Sequence, residues 1–251
     1  MRISAIVTTY RRFWKCCRAI DSILAQTHPV DEVVVVDNGS PEPEYHSLHD
    51  RYADTAVPIT VVRLSRGTHT QEPLRDDAGR EISIACRDTT NVGFCLARGD
   101  WFAMCHDDDE WMPHRIERQV QAMQRHPECL LFNASIINRT EDGCVHGIHH
   151  DYYGPHGVQA SEGVTDVTGC VPHFNPMAVS ALLFSRKLTD ALGGWQHWVP
   201  DDLGMAMRRL AASDWDFYRR AATTTRLLRL DEPLVYYEVG NVKHEGHMSY
   251  A

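Results

Sequence analysis

The chain has 251 residues, 43% of them hydrophobic and 24% charged, with a formal net charge of -9 when histidine is neutral. That apolar fraction can fill a sizeable core, and the length suits one domain or a domain with a tail. The acidic balance gives no general attraction to nucleic acid or an anionic membrane. The longest apolar stretches, 32–36 and 177–184, are strand-sized, whereas a spanning helix needs about 20 apolar residues. No apolar leader segment opens the sequence, so the expected location is the cytoplasm.

The pattern predicts a strand over 2–8, then a helix over 13–25 with Ile20, Ile23 and Leu24 at helical spacing. Val33 to Val36 form an unbroken valine run closed by Asp37-Asn38-Gly39-Ser40, which reads as a fully buried strand ending in a turn. A helix over 44–53 and a strand over 59–64 follow. Residues 65–82 are polar and irregular and read as a loop. A helix over 83–98 is expected to loosen at 91–93, near Gly93. The next strand, 101–105, runs straight into His106-Asp107-Asp108-Asp109, and Pro113 opens a helix with Ile116, Val120 and Met123 on one face. A strand over 130–137 completes this half.

Alternation of strand and helix implies a mostly parallel sheet covered on both faces. Such sheets bind ligands beyond the carboxyl ends of their strands. Asp37 and the 107–109 acids both lie where a buried strand runs out. The second half reads less regularly: loops or a hairpin over 139–170, a strand over 178–185, a short helix over 186–192, and helical pieces within 202–222. Two short strands, 226–230 and 234–238, are expected to be split by Pro233, before a polar tail from Gly240.

Eight cysteines, at 16, 17, 86, 95, 105, 129, 144 and 170, include no C-x-x-C pair. They read as buried reduced thiols, and a zinc site is not expected from their spacing. His146, His149, His150 and His156 read as part of a solvated loop, with metal binding the less favoured alternative.

Three adjacent carboxylates after a buried strand repel one another, and a hard divalent cation with oxygen ligands relieves that repulsion. The same cation would hold a nucleotide diphosphate. The alternative is a solvated acidic turn capping the following helix.

The residues around these acids favour the first reading. Ala97-Arg98-Gly99-Asp100-Trp101-Phe102-Ala103 precedes them and Glu110-Trp111-Met112-Pro113 follows. Upstream lie Ile6-Val7-Thr8-Thr9-Tyr10, Ser22-Ile23-Leu24-Ala25-Gln26-Thr27 and the valine strand with its Asp37 turn. Together these resemble the family 2 glycosyltransferases over about the first 125 residues. The likeness resumes at Leu230-Asp231-Glu232-Pro233-Leu234-Val235-Tyr236-Tyr237 and His244-Glu245-Gly246-His247-Met248-Ser249.

The resemblance implies one α/β domain of GT-A fold over 1–251, with a Rossmann-like, mostly parallel sheet. Residues 1–125 would form the nucleotide-sugar half, 126–239 the acceptor side and 240–251 the tail. It implies transfer of a sugar from a nucleotide-sugar donor, UDP favoured, to an acceptor that the residues leave unnamed. The implied cofactor is Mn2+ or Mg2+. Thr9 and Tyr10 would cradle the base, and Asp37 would accept from it; an ordinary turn aspartate is the alternative for Asp37. Arg87, in Ala85-Cys86-Arg87-Asp88, would neutralise the diphosphate, or would be a surface helix arginine.

Where the family pattern reads Asp-x-Asp-Asp, this chain has His106 first. The metal-binding carboxylate then falls on Asp108; Asp107, counted with the donor-binding residues, is its substitute if the alignment slips by one, and His244 of the tail would be a second metal ligand, with His247 as the alternative. His106 adds a nitrogen that tilts the choice toward manganese. Asp214, in Ser213-Asp214-Trp215-Asp216, matches the family's general base, which removes the acceptor proton. Its alternative is a helix N-cap, and Asp201 and Asp202 are fallback bases. Family members with such a base invert the anomeric carbon. Trp195, Trp198, Trp215 and His173 lie in the acceptor half, as sugar platforms or as core. The replacement of the first acid by His106 and of the family's glutamate by Ser213 keeps a second reading alive: a catalytically inactive nucleotide-sugar-binding module.

Overall fold

A computed structural model of the protein describes residues 1–64, 74–75, 81–82, 87–148, 159–161, 163–196 and 213–239. The first half runs β1 (Ile3–Thr9), α1 (Phe13–Leu24), β2 (Glu32–Asp37), a 3-10 turn at Pro43–Ser47 leading into α2 (Leu48–Arg51), and β3 (Ile59–Arg63). The short strands β4 (Leu74–Arg75) and β5 (Glu81–Ile82) pair antiparallel; the rest of the expected 65–82 loop lies outside the described residues. Next come α3 (Arg87–Leu96), β6 (Trp101–His106), β7 (Glu110–Trp111) and α4 (Arg115–Arg125). The second half adds β8 (Leu131–Arg139), β9 (Val145–Ile148), β10 (Gln159–Ser161), β11 (Val164–Asp166), β12 (Leu183–Ser185), α5 (Arg186–Leu192), α6 (Ser213–Ala221) and β13 (Leu227–Glu238).

The main sheet has the order β10-β11-β13-β8-β12-β6-β1-β2-β3, with β7 on β13 and β9 on β8. Its first-half core, β3-β2-β1-β6, is parallel throughout, and β8 also runs parallel to β13. β12 inserts antiparallel between β6 and β8. Both faces are covered. Ile3, Ala5 and Val7 of β1 pack in one apolar cluster with α1 and α4, while Ile6 packs in the other with α3, α5 and α6. The valine run divides the same way, Val33 and Val35 to one side and Val34 and Val36 to the other. This two-sided burial is why β1 and β2 are apolar without alternation.

Three sequence expectations are corrected. Residues 227–238 form one strand rather than two. Pro233 is accommodated at a shift of register against β8 between Leu230 and Val235, as proline requires where it cannot donate to the ladder. The helix over α3 is continuous through Gly93, whose role is close packing. A Cβ there would sit 2.5 Å from Ile6 Cγ2, so glycine lets α3 lie on β1. The helix after Pro113 begins two residues later, at Arg115. Cys16, Cys17, Cys105, Cys129 and Cys170 are buried free thiols, whereas Cys95 and Cys144 are exposed. Among the described residues no helix is long and apolar enough to cross a membrane.

Candidate active site

Strand register decides which side chains meet. Thr9 lies opposite Asp37 across β1 and β2, Asp37 opposite Arg63 across β2 and β3, and Thr8 opposite His106 across β1 and β6. The carboxyl ends of four adjacent parallel strands therefore present Arg63, Asp37, Thr9 and His106 along one rim.

Asp107 ties this rim to the turn after β1. One of its oxygens accepts from Thr9 Oγ1 at 2.9 Å and from the Tyr10 N–H at 3.0 Å. The other accepts from Arg12 Nη1 at 3.0 Å, and the same guanidinium reaches Asp108. The Tyr45 hydroxyl shares a 2.6 Å hydrogen bond with Thr9 Oγ1 and accepts from the Arg12 N–H. Burial, then the neighbouring Asp108, push the Asp107 carboxyl above the usual range, while Arg12, the Tyr10 N–H and Thr9 oppose them. Arg11 supports the turn in a left-handed conformation, φ 58°, with its N–H on Ser40 Oγ at 2.9 Å. A non-glycine residue there is strained, and such strain persists only where surrounding contacts hold it.

His106, Asp108 and Asp109 each offer one ligand atom, all within 4.8 Å of one another. Two of these residues carry a buried polar atom with no hydrogen-bond partner among the described residues, His106 Nε2 and Asp109 Oδ2. Buried polar atoms are ordinarily paired, so two unpaired ones beside a third donor fit a cation. Asp109 Oδ1 accepts from the Glu238 N–H at 2.8 Å. Burial, then Asp108, raise the Asp109 carboxyl to about 8, with Ser180 and the Glu238 N–H opposing. The Ser180 hydroxyl accepts from the His106 N–H at 2.8 Å, fixing that backbone. One nitrogen and two carboxylates suit Mn2+ and are also open to Mg2+. Arg12, half exposed, supplies positive charge at Asp108 in its own right.

A buried arginine and an ion-paired glutamate frame the cluster. Arg115 is fully buried, donates to Met104 O at 3.1 Å and Leu182 O at 2.7 Å, and lies 3.8 Å over the Trp111 ring. It thus braces β6 just before the acids. Glu238, where β13 ends, is held by Lys15 and Arg18 of α1, which fixes the N–H that serves Asp109.

Asp214 begins α6. Asn175 Nδ2 donates to its Oδ2 at 2.9 Å, and Asn175 Oδ1 accepts from the Met177 N–H. Burial raises the Asp214 carboxyl; the Asn175 amide and the Trp215 N–H oppose it. Trp215 Nε1 donates to Val171 O at 2.7 Å and anchors α6 in the core.

Residues 4–71 and 88–184 match the profile of glycosyl transferase family 2, well over half of the sequence. The chain belongs to glycosyl transferase family 2. It is 31% identical over 127 residues to an uncharacterized glycosyltransferase of Nostoc sp., covering 49% of this chain and 33% of that one. The chain therefore spans about a third of that relative's length. Among solved structures it is similar to S. aureus TarS 1-349 in complex with UDP-GlcNAc, with TM-score 0.64–0.66 across the TarS 1-349 structures and 18% identity in that complex, covering 100% of this chain and 61% of that one. It also resembles the mannosyltransferase PcManGT from Pyrobaculum calidifontis in complex with GDP-Man and Mn2+, with TM-score 0.59 and 20% identity, covering 92% and 55%. These likenesses show the GT-A fold.

Of the family 2 residues expected from sequence, Thr9, Tyr10, Asp107 and Asp108 come together at one rim, and Asp214 sits at the start of α6 on Asn175. Asp37 is at the same rim but fully covered, its oxygens held by Ser40 and Arg63. Arg87 is the first residue of α3; its side chain lies outside the described set, as do His244, Asp201, Asp202 and Trp198. Trp195 and Trp215 are buried in the apolar cluster around Phe217, which makes them core rather than an open sugar platform. His173 is exposed. Sequence reasoning missed Arg12, Arg63, Tyr45 and Asn175 as site residues, and read Asp109 only as one of the three adjacent acids, without a ligand role of its own. Only Arg12 and Asp109 carried a signal, being adjacent to motifs already in view; the others arrive from separate turns.

Proposed function

We propose that this family 2 protein transfers a sugar from a nucleotide diphosphate sugar, UDP favoured, to an acceptor hydroxyl, with inversion and with help from a divalent cation. The observation that carries the reading is the pair of buried, unpartnered atoms, His106 Nε2 and Asp109 Oδ2, beside Asp108 at the rim of the parallel strands. An acidic turn that merely capped a helix would leave its carboxylates in solvent. The UDP-GlcNAc bound in TarS and the Mn2+ with GDP-Man in PcManGT support the donor class and the cation.

Each residue then has a task. His106, Asp108 and Asp109 would hold Mn2+ or Mg2+, and the tail residue His244 is proposed as a further ligand. The bound cation supplies charge neutralisation for the departing diphosphate. Thr9 and Tyr10, locked by Asp107 and Tyr45, form a rigid wall for the nucleoside, and Asp37 forms the floor of its base pocket. Arg12 and Arg87 offer guanidinium donors to phosphate oxygens. Asp214, oriented by Asn175 and raised by burial, takes the acceptor's proton as the hydroxyl attacks the anomeric carbon from the face opposite the leaving group.

The test is thermal unfolding with UDP-sugars, Mn2+, both and neither. The expected result is a rise in Tm that needs both ligands, because a ligand that binds only the folded state stabilises it. Asp108→Asn should remove the metal-dependent part. No Tm response to any nucleotide sugar with Mn2+ would refute the reading.

A further inference from the structure

We propose that Arg63, rather than Asp37, presents the hydrogen-bond donors that read the nucleobase, and that it selects uracil over cytosine. The inference rests on the nucleotide-sugar reading above. Asp37 is 0% exposed. One of its oxygens accepts from the Ser40 N–H at 3.0 Å and the Ser40 hydroxyl at 2.5 Å, and the other accepts from Arg63 Nε at 2.9 Å. A base N–H could reach that carboxylate only by displacing a charge-assisted hydrogen bond, which is among the stronger polar contacts.

Arg63 covers Asp37 from the solvent side. Its side chain is 27% exposed while that of Asp37 is 0%. Beyond Asp37, one terminal nitrogen donates to Ser40 O at 2.7 Å, and the other lies 2.8 Å from His46 Nδ1 and 2.9 Å from His46 Nε2. A guanidinium carries five N–H donors and no acceptor. One is directed at Asp37 and one at Ser40, the nitrogen beside His46 faces both ring nitrogens, and at least one N–H has no partner among the described residues. The face offered to a ligand at this rim is therefore one of donors. Uracil meets it with the O4 carbonyl. Cytosine brings an amino group to the same edge, donor against donor, and a site built to pair one polar group discriminates against the analogue that lacks it.

Asp37 is then a positioning residue. Its charge fixes the guanidinium plane through Nε. Ser40 joins this pair to the strained turn, because its hydroxyl donates to Asp37 and accepts from the Arg11 N–H. The base reader and the Tyr10–Arg12 segment therefore move as one body.

Calorimetric titration of UDP and CDP, each with Mn2+, into the full chain tests this. Wild type should bind UDP at least tenfold more tightly than CDP. Arg63→Met should weaken UDP tenfold or more and bring the UDP-to-CDP ratio close to one, with affinity for Mn2+ alone unchanged. Arg63→Lys keeps a charge on Asp37 and guards against loss of fold; it should narrow the ratio as well, since a single ammonium cannot reproduce the planar fork. A ratio unchanged in the folded Arg63 variants but abolished in Asp37→Asn would overturn the inference and return base reading to Asp37. Failure of wild type to bind either nucleotide would remove the donor reading itself and this inference with it.

Discussion

Asp109 gives the metal hypothesis a quantitative handle. Its carboxyl is raised to about 8 by burial and by Asp108, against an ordinary value of about 3.9. A cation can bind only the ionised form, so binding competes with the proton. With a pKa of about 8, the ionised fraction is about 9% at pH 7 and about 91% at pH 9, so Mg2+ affinity should rise about tenfold across that window. The metal-free protein should show the opposite trend in stability. The unfolded chain releases this proton near its ordinary value and the folded chain near 8, so between the two the folded state holds more protons. Stability therefore falls as pH rises from about 4 to about 8. Calorimetric Mg2+ titrations at half-unit steps from pH 7 to 9, alongside urea melts of the metal-free protein, measure both. Asp109→Asn should flatten the affinity profile. A flat wild-type profile, or the same rise persisting in Asp109→Asn, would refute Asp109 as the titrating ligand.

Arg12→Ala removes a guanidinium from Asp107 and Asp108. It should tighten Mg2+ binding in the absence of nucleotide by severalfold, read by the same titration; weaker binding would show that Arg12 organises the site rather than competing for it. Asp214→Asn should keep UDP and Mn2+ affinity within about threefold while transfer falls by about 10²–10⁴, measured by UDP release in the presence of a working acceptor; transfer at the normal rate would show that another group takes the proton. Gly99→Ala places a Cβ 2.5 Å from Ser4 Oγ and 2.7 Å from Ser4 N. Overpacking of this kind costs about 1–3 kcal/mol, seen as a lower urea midpoint with unchanged slope, and a loss under 0.5 kcal/mol would contradict the tight approach.

The sequence by itself determined the elements whose burial is two-sided or strictly periodic. The valine run at 33–36 could only be an inner strand, and the 186–192 helix follows from its own spacing. It also located the acids after β6, since three carboxylates at the end of a buried strand have few places to go. Pro233 misled because local chemistry forbids proline a ladder bond, whereas pairing along β8 on both sides of it carries one strand across a register shift. Gly93 misled for the related reason that a helix-weakening residue was needed for contact with Ile6. What only the tertiary structure decided is which side chains meet across strands. Arg63 covers Asp37 because β2 and β3 are adjacent and in register, 26 positions apart in sequence. The Glu238 N–H reaches Asp109 because β13 ends beside the acidic turn and α1 holds it there. Asn175 orients Asp214 from a separate loop. Periodicity reports which face of an element is apolar; it carries no information about the partner that face, or its terminal polar residue, will find.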